Sequence, residues 1–525
     1  MKYAFIFLVL AAMFWRVSEN TVDPDLWGHV LYGQRVAVRG AVERVEPFSW
    51  TAAGHRWINH ELGAEWVMGQ VHRVGGGEGL FFLMVFVGMG TFVAAIACGG
   101  GLRRGLSNGW SWGLGLLASR DIAYGFAMRP QIVSALFLVV LIALLQAHYR
   151  GRRYPLWGIP ILFVLWINSH GGGLAGVVMV GVAALAGSLQ YAVGTRRVWG
   201  IGRMAPLAGR GITLLWISFV VSVAALCVNP YGLSLPVWLF ESVRFVRPEI
   251  VEWRPIELSF ERLPYVGLVV LALAGWLLSR REKQAWVPAV CLFLAIAAAR
   301  HQRHLPLFAL SVVALLPDDL ADAADRLKAH YRNLTACFRN VVVQRVVAIA
   351  MVLAGCGALL ASATLGKTSP LTLEVPRSMY PLSAVEFMQA HGLGGNLVND
   401  FNWGQLVLWE LPACRVSFDG RLDTCYPRRV IEAHWRFYDG EPGWQTDLPL
   451  EQADLALLPT GGGAMGLLLR DYGWTLVYQD PLASVAAADP SRHAGLAGAA
   501  VILRGPEALV GRDPFPHQMS ARAGH

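Results

Sequence analysis

The sequence predicts an all-α, multi-spanning membrane domain followed by a small α/β domain. Hydrophobic residues make up 55% of the 525 residues and charged residues only 15%, and the mean hydropathy is +0.44. Apolar runs succeed one another as far as residue 365, whereas the chain beyond residue 370 is mixed and polar. This composition excludes a string of ordinary soluble domains.

Hydropathy predicts about eleven transmembrane helices. The first run, Tyr3 to Val17, is short and could be a secretory signal, but no small-x-small cleavage site follows it and Trp15-Arg16 is typical of an interfacial anchor. We therefore expect an uncleaved first helix. The remaining predicted spans are 79–98, 106–119, 129–147, 156–168, 171–193, 211–228, 264–279, 285–299, 304–317 and 345–365.

The basic residues predict the topology. Clusters of Arg occupy alternate loops: Arg103-Arg104; Arg150, Arg152 and Arg153; Arg196, Arg197, Arg203 and Arg210; Arg280 and Arg281; and Arg326 to Arg345. By the positive-inside rule these loops and the N-terminus face the cytoplasm. The net charge of +8 therefore reflects the sorting of basic residues to one side of the membrane. We predict the lipid bilayer as a partner and no binding of nucleic acid.

Three segments follow from this topology. Residues 1–368 form the membrane domain, whose first external loop, 18–78, contains an amphipathic helix at about 58–74 because apolar residues recur there at helical spacing. An odd number of spans places residues 369–505 on the external side as an α/β domain. Residues 506–525, rich in Pro, Arg and Gly, are predicted to be disordered.

The first external loop carries the sharpest chemical signal, Asp23-Pro-Asp25. Pro fixes the backbone between two carboxylates, which could coordinate Mg²⁺ or Mn²⁺ or take a proton from a hydroxyl. A helix-capping turn is an equally good interpretation of this motif alone. His29 would stand one helical turn after Asp25, and His60-Glu61 offers a further base and acid, although surface helices often carry such residues.

Other external loops carry cationic groups. Arg129, with Arg120-Asp121 nearby, could bind a phosphate or simply snorkel to the membrane surface. Arg300, Arg303 and His304 lie on the side where the charge rule does not favour Arg, which indicates phosphate or pyrophosphate binding. His170 could contact a polar head group or be a hydrogen-bonded loop residue.

The tail contains two polar clusters, Asn399 to Gly404 and Phe418 to Arg421. They suit carbohydrate binding but equally suit turns between strands, which we favour for most of them. Cys414 and Cys425 share this region, so a disulfide between them is open. The sequence lacks a phosphate-binding Gly-x-x-x-x-Gly-Lys loop and a Gly-x-Ser-x-Gly elbow.

These features together resemble the GT-C fold of multi-spanning glycosyltransferases, which take a sugar from a polyprenyl-phosphate carrier outside the cytoplasm. A narrower group of motifs is similar to a bacterial family of uncharacterised membrane proteins placed near these enzymes. The motifs are Asp23-Pro-Asp-Leu-Trp-Gly-His29, Pro47-Phe-Ser49, Trp57-Ile-Asn-His-Glu61, Arg129-Pro-Gln131, Asn229-Pro-Tyr-Gly232 and Asp419-Gly-Arg421.

The resemblance implies a bacterial inner-membrane transferase of the inverting type. Asp25 first, then Asp23, would act as base or bind metal, and Asp121 is the candidate for the second acidic motif. Arg129, Arg300 and Arg303 would hold the carrier phosphate. The acceptor, whether glycan, lipid or protein, stays open, and a Mg²⁺ or Mn²⁺ ion on Asp23 or Asp121 is optional.

Two other functions remain open on the sequence. A lipid or polysaccharide transporter would also place ionisable residues deep within the spans, and the sequence shows few of them. A non-catalytic scaffold in envelope assembly would use the tail as its binding module.

Overall fold

The computed structural model describes residues 1–99, 102–151, 156–193, 207–244, 247–257, 259–330, 341–496 and 501–516. The chain divides into two compact units. The helical unit comprises Met1–Glu19 and Leu83–Leu365, and the mixed unit comprises Asn20–Phe82 and Gly366–His525. Several residues used above lie outside the described ranges, namely Arg152, Arg153, Arg196, Arg197, Arg203, residues 331–340 of the Arg326 to Arg345 cluster, and residues 517–525.

The helical unit consists of the first helix, the last part of α3 and helices α4 to α15. Each predicted apolar run falls on one of its helices. Their bounds are α1 Lys2–Val17, α3 Leu62–Cys98, α4 Leu102–Ser107, α5 Gly109–Ile122, α6 Gln131–Tyr149, α7 Gly158–Ile167, α8 Gly173–Val193, α9 Gly209–Ala225, α10 Ser234–Ser242, α11 Leu263–Leu278, α12 Trp286–Arg300, α13 Leu305–Leu315, α14 Pro317–His330 and α15 Val341–Thr364.

Five helical segments in the described ranges are long and apolar enough to cross a membrane: Leu62–Cys98, Gln131–Tyr149, Gly173–Val193, Phe260–Leu278 and Val341–Thr364. Three shorter apolar helices accompany them, Gly158–Ile167, Gly209–Ala225 and Trp286–Arg300. The structure thus supports a multi-pass membrane protein, while the predicted number of about eleven spans is not confirmed.

Small residues let helices approach one another in this unit, as is common in membrane proteins. A Cβ added at Gly176 on α8 would lie 2.7 Å from the ring of Trp166, and one added at Gly187 would lie 2.4 Å from the Tyr149 hydroxyl. A Cβ at Gly355 on α15 would lie 2.6 Å from Phe7 on α1. These contacts explain why glycine interrupts otherwise bulky apolar helices.

The mixed unit contains a six-stranded sheet, a two-stranded sheet and several helices. Its strands are β1 Glu374–Pro376, β2 Gly395–Asn399, β3 Cys414–Val416, β4 Leu455–Pro459, β5 Thr475–Gln479, β6 Ala483–Ala487, β7 Ile502–Leu503 and β8 Arg512–Pro514. Its helices are α2 Leu26–Arg39, the start of α3, α16 Leu382–Ala390, α17 Gly404–Glu410, α18 Arg428–Asp439 and α19 Gly463–Asp471. The six strands lie in the order β3-β2-β4-β6-β5-β7, and β1 pairs with β8.

In the six-stranded sheet, strands β3-β2-β4 are mutually parallel, β6 runs antiparallel to both β4 and β5, and β7 runs parallel to β5. The two-stranded sheet differs from the sequence prediction. Residues Pro506–Leu509 form a 3₁₀ helix and Arg512–Pro514 pair with β1, whereas we predicted disorder from residue 506.

The first external loop is part of this unit, which differs from the predicted division at residue 368. Ser49 forms a parallel bridge with Val416 at the edge of β3, and the backbone N–H of Trp50 donates to the Val416 carbonyl at 3.1 Å. The Trp50 side chain lies in the hydrophobic core formed by α18, α19 and the sheet. The loop and the tail therefore bury surface together and form one folded body.

The predicted amphipathic helix at 58–74 exists, but it begins at Leu62 and continues into the following span as α3, Leu62–Cys98. The helix kinks at Gly76, where φ is +56° and ψ is −148°. A positive φ is easily adopted by glycine and strained for other residues. Gly76 thus joins the loop helix to the membrane span without a separate connecting loop.

Candidate active site

Helix α2 begins directly after the Asp23-Pro-Asp25 motif, and the two carboxylates have different surroundings. The Asp23 Oδ1 accepts a hydrogen bond from the backbone N–H of Asp25 at 3.0 Å, and the Leu26 N–H donates to the Asp23 carbonyl at 3.1 Å. Asp25 is the N-cap residue, and its side chain makes no capping hydrogen bond. Asp23 therefore closes the turn, while the Asp25 carboxylate is directed elsewhere.

The Asp25 carboxylate lies against the backbone of Gly420, in the Asp419-Gly-Arg421 motif. A Cβ added at Gly420 would stand 1.9 Å from Asp25 Oδ1, so only glycine leaves room for this carboxylate. Two motifs almost four hundred positions apart thus meet at the proposed base. The tail motif that we favoured as a turn between strands is also part of this site.

His29, one helical turn after Asp25, lies between two glutamates. Its Nδ1 is 3.0 Å from Glu65 Oε1 and 3.8 Å from Glu61 Oε2, and all three side chains are largely buried. Burial lowers the pKa of His29, but the hydrogen bond to Glu65 and the charges of Glu61 and Glu65 outweigh it and raise the pKa to about 9. Without another cation, His29 is therefore protonated at neutral pH.

A buried ionic cluster supports the Gly420 turn from behind. The Arg421 guanidinium contacts Asp419 at 2.6 Å and Glu46 at 3.0 Å, and these three side chains are almost inaccessible. Glu46 Oε1 also accepts the backbone N–H groups of Phe48 and Ser49, both at 2.6 Å. The cluster therefore fixes the first loop to the tail motif.

Aromatic rings surround the Arg421 guanidinium and complete the cluster. The ring centroids of Tyr32, Phe48, Trp57 and Tyr426 lie between 5.1 and 5.9 Å from its central carbon. Aromatic faces stabilise a guanidinium that has left water. Tyr32, Phe48 and Trp57 of the first loop thus have a structural role around one arginine.

Helix α2 connects this cluster to the acidic site. The Tyr32 hydroxyl donates to Gln405 Oε1 at 2.7 Å, and Gln405 Nε2 donates to Asp419 Oδ1 at 3.3 Å. A Cβ added at Gly28 would lie 1.8 Å from Gln405 Oε1, so the glycine admits this side chain against the helix. The positions of Asp25 and His29 are therefore set by α2 and α17 together.

The predicted cationic residues of the helical unit are largely paired. Arg129 Nη1 is 2.8 Å from Glu252 Oε1, and Arg120 Nη2 is 3.2 Å from Glu261 Oε1.

The acidic residue Asp121 has no such pair. Its side chain is 1% exposed, and neither carboxylate oxygen has a hydrogen-bond partner among the described residues. A buried carboxylate without hydrogen bonds raises the free energy of the folded state unless a proton or a cation neutralises its charge.

A second cationic group lies around Trp253. The Arg247 and Arg303 guanidinium carbons are each 4.5 Å from the centroid of its ring, and His301 Nδ1 donates to its carbonyl at 2.7 Å. His304 is half-buried, and its ring centroid lies 6.2 Å from that of His301. Arg300 is exposed at the C-terminal end of α12.

His170 has hydrogen bonds that fit a loop residue. Its Nδ1 accepts the backbone N–H of Gly172 at 3.0 Å and lies 2.7 Å from Ser134 Oγ, which in turn accepts from Trp166 Nε1. The Nδ1 atom is thus engaged inside the helical unit. This arrangement favours the structural interpretation of His170.

The structure divides the predicted site residues between the two units. Asp23, Asp25, His29, His60 and Glu61 belong to the mixed unit, and the remaining predicted residues belong to the helical unit, namely Arg120, Asp121, Arg129, His170, Arg300, Arg303 and His304. Sequence reasoning missed Glu65, Gly420 and Gln405 as site residues. Glu65 stands four positions after Glu61, a spacing that places both on one helix face and could have identified it.

Comparison with known proteins gives similarity in structure only. No protein-family model matches the chain. No curated protein sequence matches it either.

Two groups of solved structures resemble the chain. The Archaeoglobus fulgidus oligosaccharyltransferase AglB, in complex with an inhibitory peptide and a dolichol-phosphate, is 13% identical with a TM-score of 0.54, over 87% of this chain and 69% of AglB. Apo ArnT from Cupriavidus metallidurans is 14% identical with a TM-score of 0.51, over 93% of this chain and 97% of ArnT. A second ArnT structure, bound to undecaprenyl phosphate, has a TM-score of 0.50.

Both neighbours are integral membrane transferases with the GT-C fold, so the predicted resemblance to that fold is confirmed. The likeness covers most of the chain, including both units. At 13–14% identity it establishes the fold and leaves the substrate to chemical argument. The narrower resemblance to a bacterial family stays a prediction.

Proposed function

We propose that this protein is a membrane glycosyltransferase that moves a sugar from a polyprenyl-phosphate donor to a hydroxyl group outside the cytoplasm, with inversion at the anomeric carbon. The observation that carries the proposal is the fold shared with two lipid-linked transferases, in a chain where the Asp25 carboxylate lies at the start of α2 against the Gly420 backbone. A fold alone does not determine function, so the residues must supply the chemistry.

Asp25 is the proposed general base. It takes the proton of the acceptor hydroxyl as the hydroxyl oxygen attacks the anomeric carbon from the face opposite the phosphate. The bond between that carbon and the phosphate oxygen breaks, and polyprenyl phosphate leaves with the electron pair. A phosphate already bound by arginine is a good leaving group, so the reaction needs no covalent enzyme intermediate.

The cationic residues of the helical unit are proposed to hold the phosphate. Arg300 is exposed and Arg303 stacks on Trp253. The planar guanidinium group of arginine donates well to phosphate oxygens. Arg129 would exchange its ion pair with Glu252 for the donor phosphate. We also propose supporting roles in substrate binding for His60, Glu61, Arg120 and His304. His170, which was predicted beside them, is left out because its Nδ1 atom is engaged by Gly172 and Ser134.

A divalent cation would fit Asp121 better than Asp23. Both oxygens of Asp121 are buried without a hydrogen-bond partner among the described residues, whereas Asp23 uses one oxygen to close the turn before α2. Mg²⁺ or Mn²⁺ on Asp121 would offset charge that develops on the leaving phosphate. The base and the phosphate-binding arginines act in the same way whether or not this ion takes part.

Location and acceptor belong to the same proposal. We infer a bacterial inner-membrane protein of about eleven spans with the mixed unit outside the cytoplasm, because the sorted arginines and the odd number of apolar runs favour it. The acceptor is a glycan, lipid or protein hydroxyl. The rival functions are a non-catalytic envelope-assembly scaffold and a transporter of lipid or polysaccharide.

A transfer assay tests the proposal. Purified protein in proteoliposomes receives undecaprenyl-phosphate hexoses and pentoses, with an envelope fraction from cells lacking the protein as acceptor, and mass spectrometry measures released undecaprenyl phosphate. We expect Asp25→Asn to reduce release by about 100-fold or more, since a positioned base contributes about 10² to 10⁴ in rate. Arg300→Ala should weaken binding of undecaprenyl phosphate.

The matched control is Arg428→Ala, which removes an exposed arginine that pairs with Glu432 on α18. It should leave release unchanged. Equal turnover in wild type, Asp25→Asn and Arg300→Ala would overturn the proposal and favour the scaffold.

A further inference from the structure

The proposed base has a polar neighbour that the transfer reaction does not require. His29 on α2, Glu61 in the segment before α3 and Glu65 in the first turn of α3 direct their side chains to one point. Their nearest nitrogen and oxygen atoms all lie within 4.8 Å of one another. The three residues come from two helices and a turn, so any group bound by all of them would fasten these elements together.

The distances suit a metal ion. In a tetrahedral site with bonds of about 2.0–2.1 Å, neighbouring ligand atoms stand roughly 3.3 Å apart. The distances from His29 Nδ1, 3.0 Å to Glu65 and 3.8 Å to Glu61, lie on either side of this value. A small movement of the Glu61 side chain, which is 19% exposed, would complete a three-residue ligand set.

The surrounding contacts hold the ligands in place. Asn59 Nδ2 donates to Glu65 Oε2, the oxygen that does not contact His29, and Asn59 Oδ1 accepts the backbone N–H of Glu61 at 3.0 Å. A hydrogen bond to the free oxygen of a metal-binding carboxylate fixes its orientation. Asn59 thus positions both glutamates at once.

Charge also favours a dication. The Glu65 side chain is 3% exposed, and a carboxylate oxygen of Glu61 lies within 4.8 Å of it. Two carboxylates therefore share a poorly hydrated space with one imidazole. A single proton on His29 can offset only one of them. A divalent ion offsets both and leaves the imidazole neutral, which lowers the cost of keeping these charges away from water.

We propose that His29, Glu61 and Glu65 bind one divalent transition-metal ion, with Zn²⁺ or Mn²⁺ as the preferred class, and that this ion braces α2 against α3 beside Asp25. One imidazole nitrogen with two carboxylate oxygens suits these ions better than Ca²⁺ or Mg²⁺, which favour oxygen ligands alone. The fourth position is left to water. The site uses residues of the mixed unit alone and does not depend on the transferase proposal.

The test is metal binding by the full-length protein in detergent. After removal of metal by dipicolinate and desalting, Zn²⁺ alone is titrated calorimetrically, and Mn²⁺ binding is followed by electron paramagnetic resonance. We expect one equivalent of Zn²⁺ in the wild type and a rise in Tm on its addition. Glu61→Gln should weaken Zn²⁺ binding at least about tenfold, because it removes one ligand and keeps the His29–Glu65 contact.

Two further variants make the result decisive. His29→Gln should abolish binding, and, if that variant fails to fold, Glu61→Gln carries the test alone because its side chain is partly exposed. The controls are His55→Gln and Glu78→Gln, an exposed histidine in the same loop and an exposed glutamate on α3. Equal Zn²⁺ affinity in wild type, Glu61→Gln and His29→Gln, or no binding by the wild type, would overturn the site.

Discussion

Asp23 Oδ1 accepts the backbone N–H of Asp25 at 3.0 Å, so the first carboxylate of the motif holds the turn that presents the second. The sequence left two interpretations open, a turn at the start of a helix and a pair of reactive carboxylates. The structure assigns the turn contact to Asp23 and leaves the chemical role to Asp25. Asp23 has the structural contact, and Asp25 has a carboxylate directed at Gly420.

This difference predicts unequal effects of two conservative changes. Asp23→Asn keeps an oxygen that can accept the Asp25 N–H, so we expect transfer to fall by less than about tenfold. Asp25→Asn removes the base, and we expect a loss of about 100-fold or more. The release of undecaprenyl phosphate measures both. A loss of similar size in Asp23→Asn would assign Asp23 a direct chemical role.

Gly420 is predicted to be essential for the position of Asp25. In Gly420→Ala the new Cβ would stand 1.9 Å from Asp25 Oδ1, so the carboxylate must move. Displacement of a reacting group by about 1 Å costs on the order of 10²-fold in rate. We expect such a loss in the release assay.

The control for this change is Gly466→Ala on α19, where the nearest atom to an added Cβ is a flexible Arg470 nitrogen at 3.6 Å. Transfer should be unchanged, and Tm unchanged or slightly higher, because alanine favours a helix more than glycine. Wild-type transfer by Gly420→Ala would show that Asp25 is not held where the reaction needs it.

The Arg421 cluster should govern the stability of the mixed unit. Glu46→Gln leaves the buried guanidinium with one carboxylate partner, and breaking a buried pair costs about 3–5 kcal/mol. For a unit of this size the Tm should fall by roughly 10 °C. Tryptophan fluorescence during heating measures the change.

The exposed ion pair Arg428–Glu432 provides the comparison, since its side chains are 72% and 44% exposed. Glu432→Gln should change stability by less than about 0.5 kcal/mol because water screens such pairs. Equal Tm changes in Glu46→Gln and Glu432→Gln would contradict a structural role for the cluster.

The burial of His434 should make the stability of the mixed unit depend on pH. Burial lowers its pKa to about 4, only partly offset by the hydrogen bond to the Val430 carbonyl, and its Nε2 has no partner among the described residues. As pH falls, the His434 side chain therefore gains a proton at a higher pH in the unfolded chain than in the folded one. Stability should be complete above about pH 6.5 and decrease by up to about 3 kcal/mol towards pH 4.

The measurement is Tm between pH 4 and pH 7. His434→Leu should show a shallower decline over this range than the wild type, whatever its Tm at pH 7. His55→Gln, which changes an exposed histidine, should retain the wild-type slope. An unchanged slope in His434→Leu would mean that His434 is not buried as a neutral group.

Part of the site was predictable because its signals are local. Asp25, His29 and Glu61 follow from motifs of a few residues, and each predicted apolar run falls on a helix of the structure. Glu65 could have been added from its spacing to Glu61. Gly420 and Gln405 could not, because nothing near them in the chain shows which side chain they approach.

The sequence by itself determined the class of the protein and the start of α2, since hydropathy and turn motifs depend on neighbouring residues. The tertiary structure decided the rest. Glu46 and Arg421 are 375 positions apart, and their buried contact joins the first loop to the tail. Such a pairing lowers the free energy only after the chain has folded around it, so no local pattern records it. The approach of the Asp25 carboxylate to Gly420 is a long-range contact of the same kind.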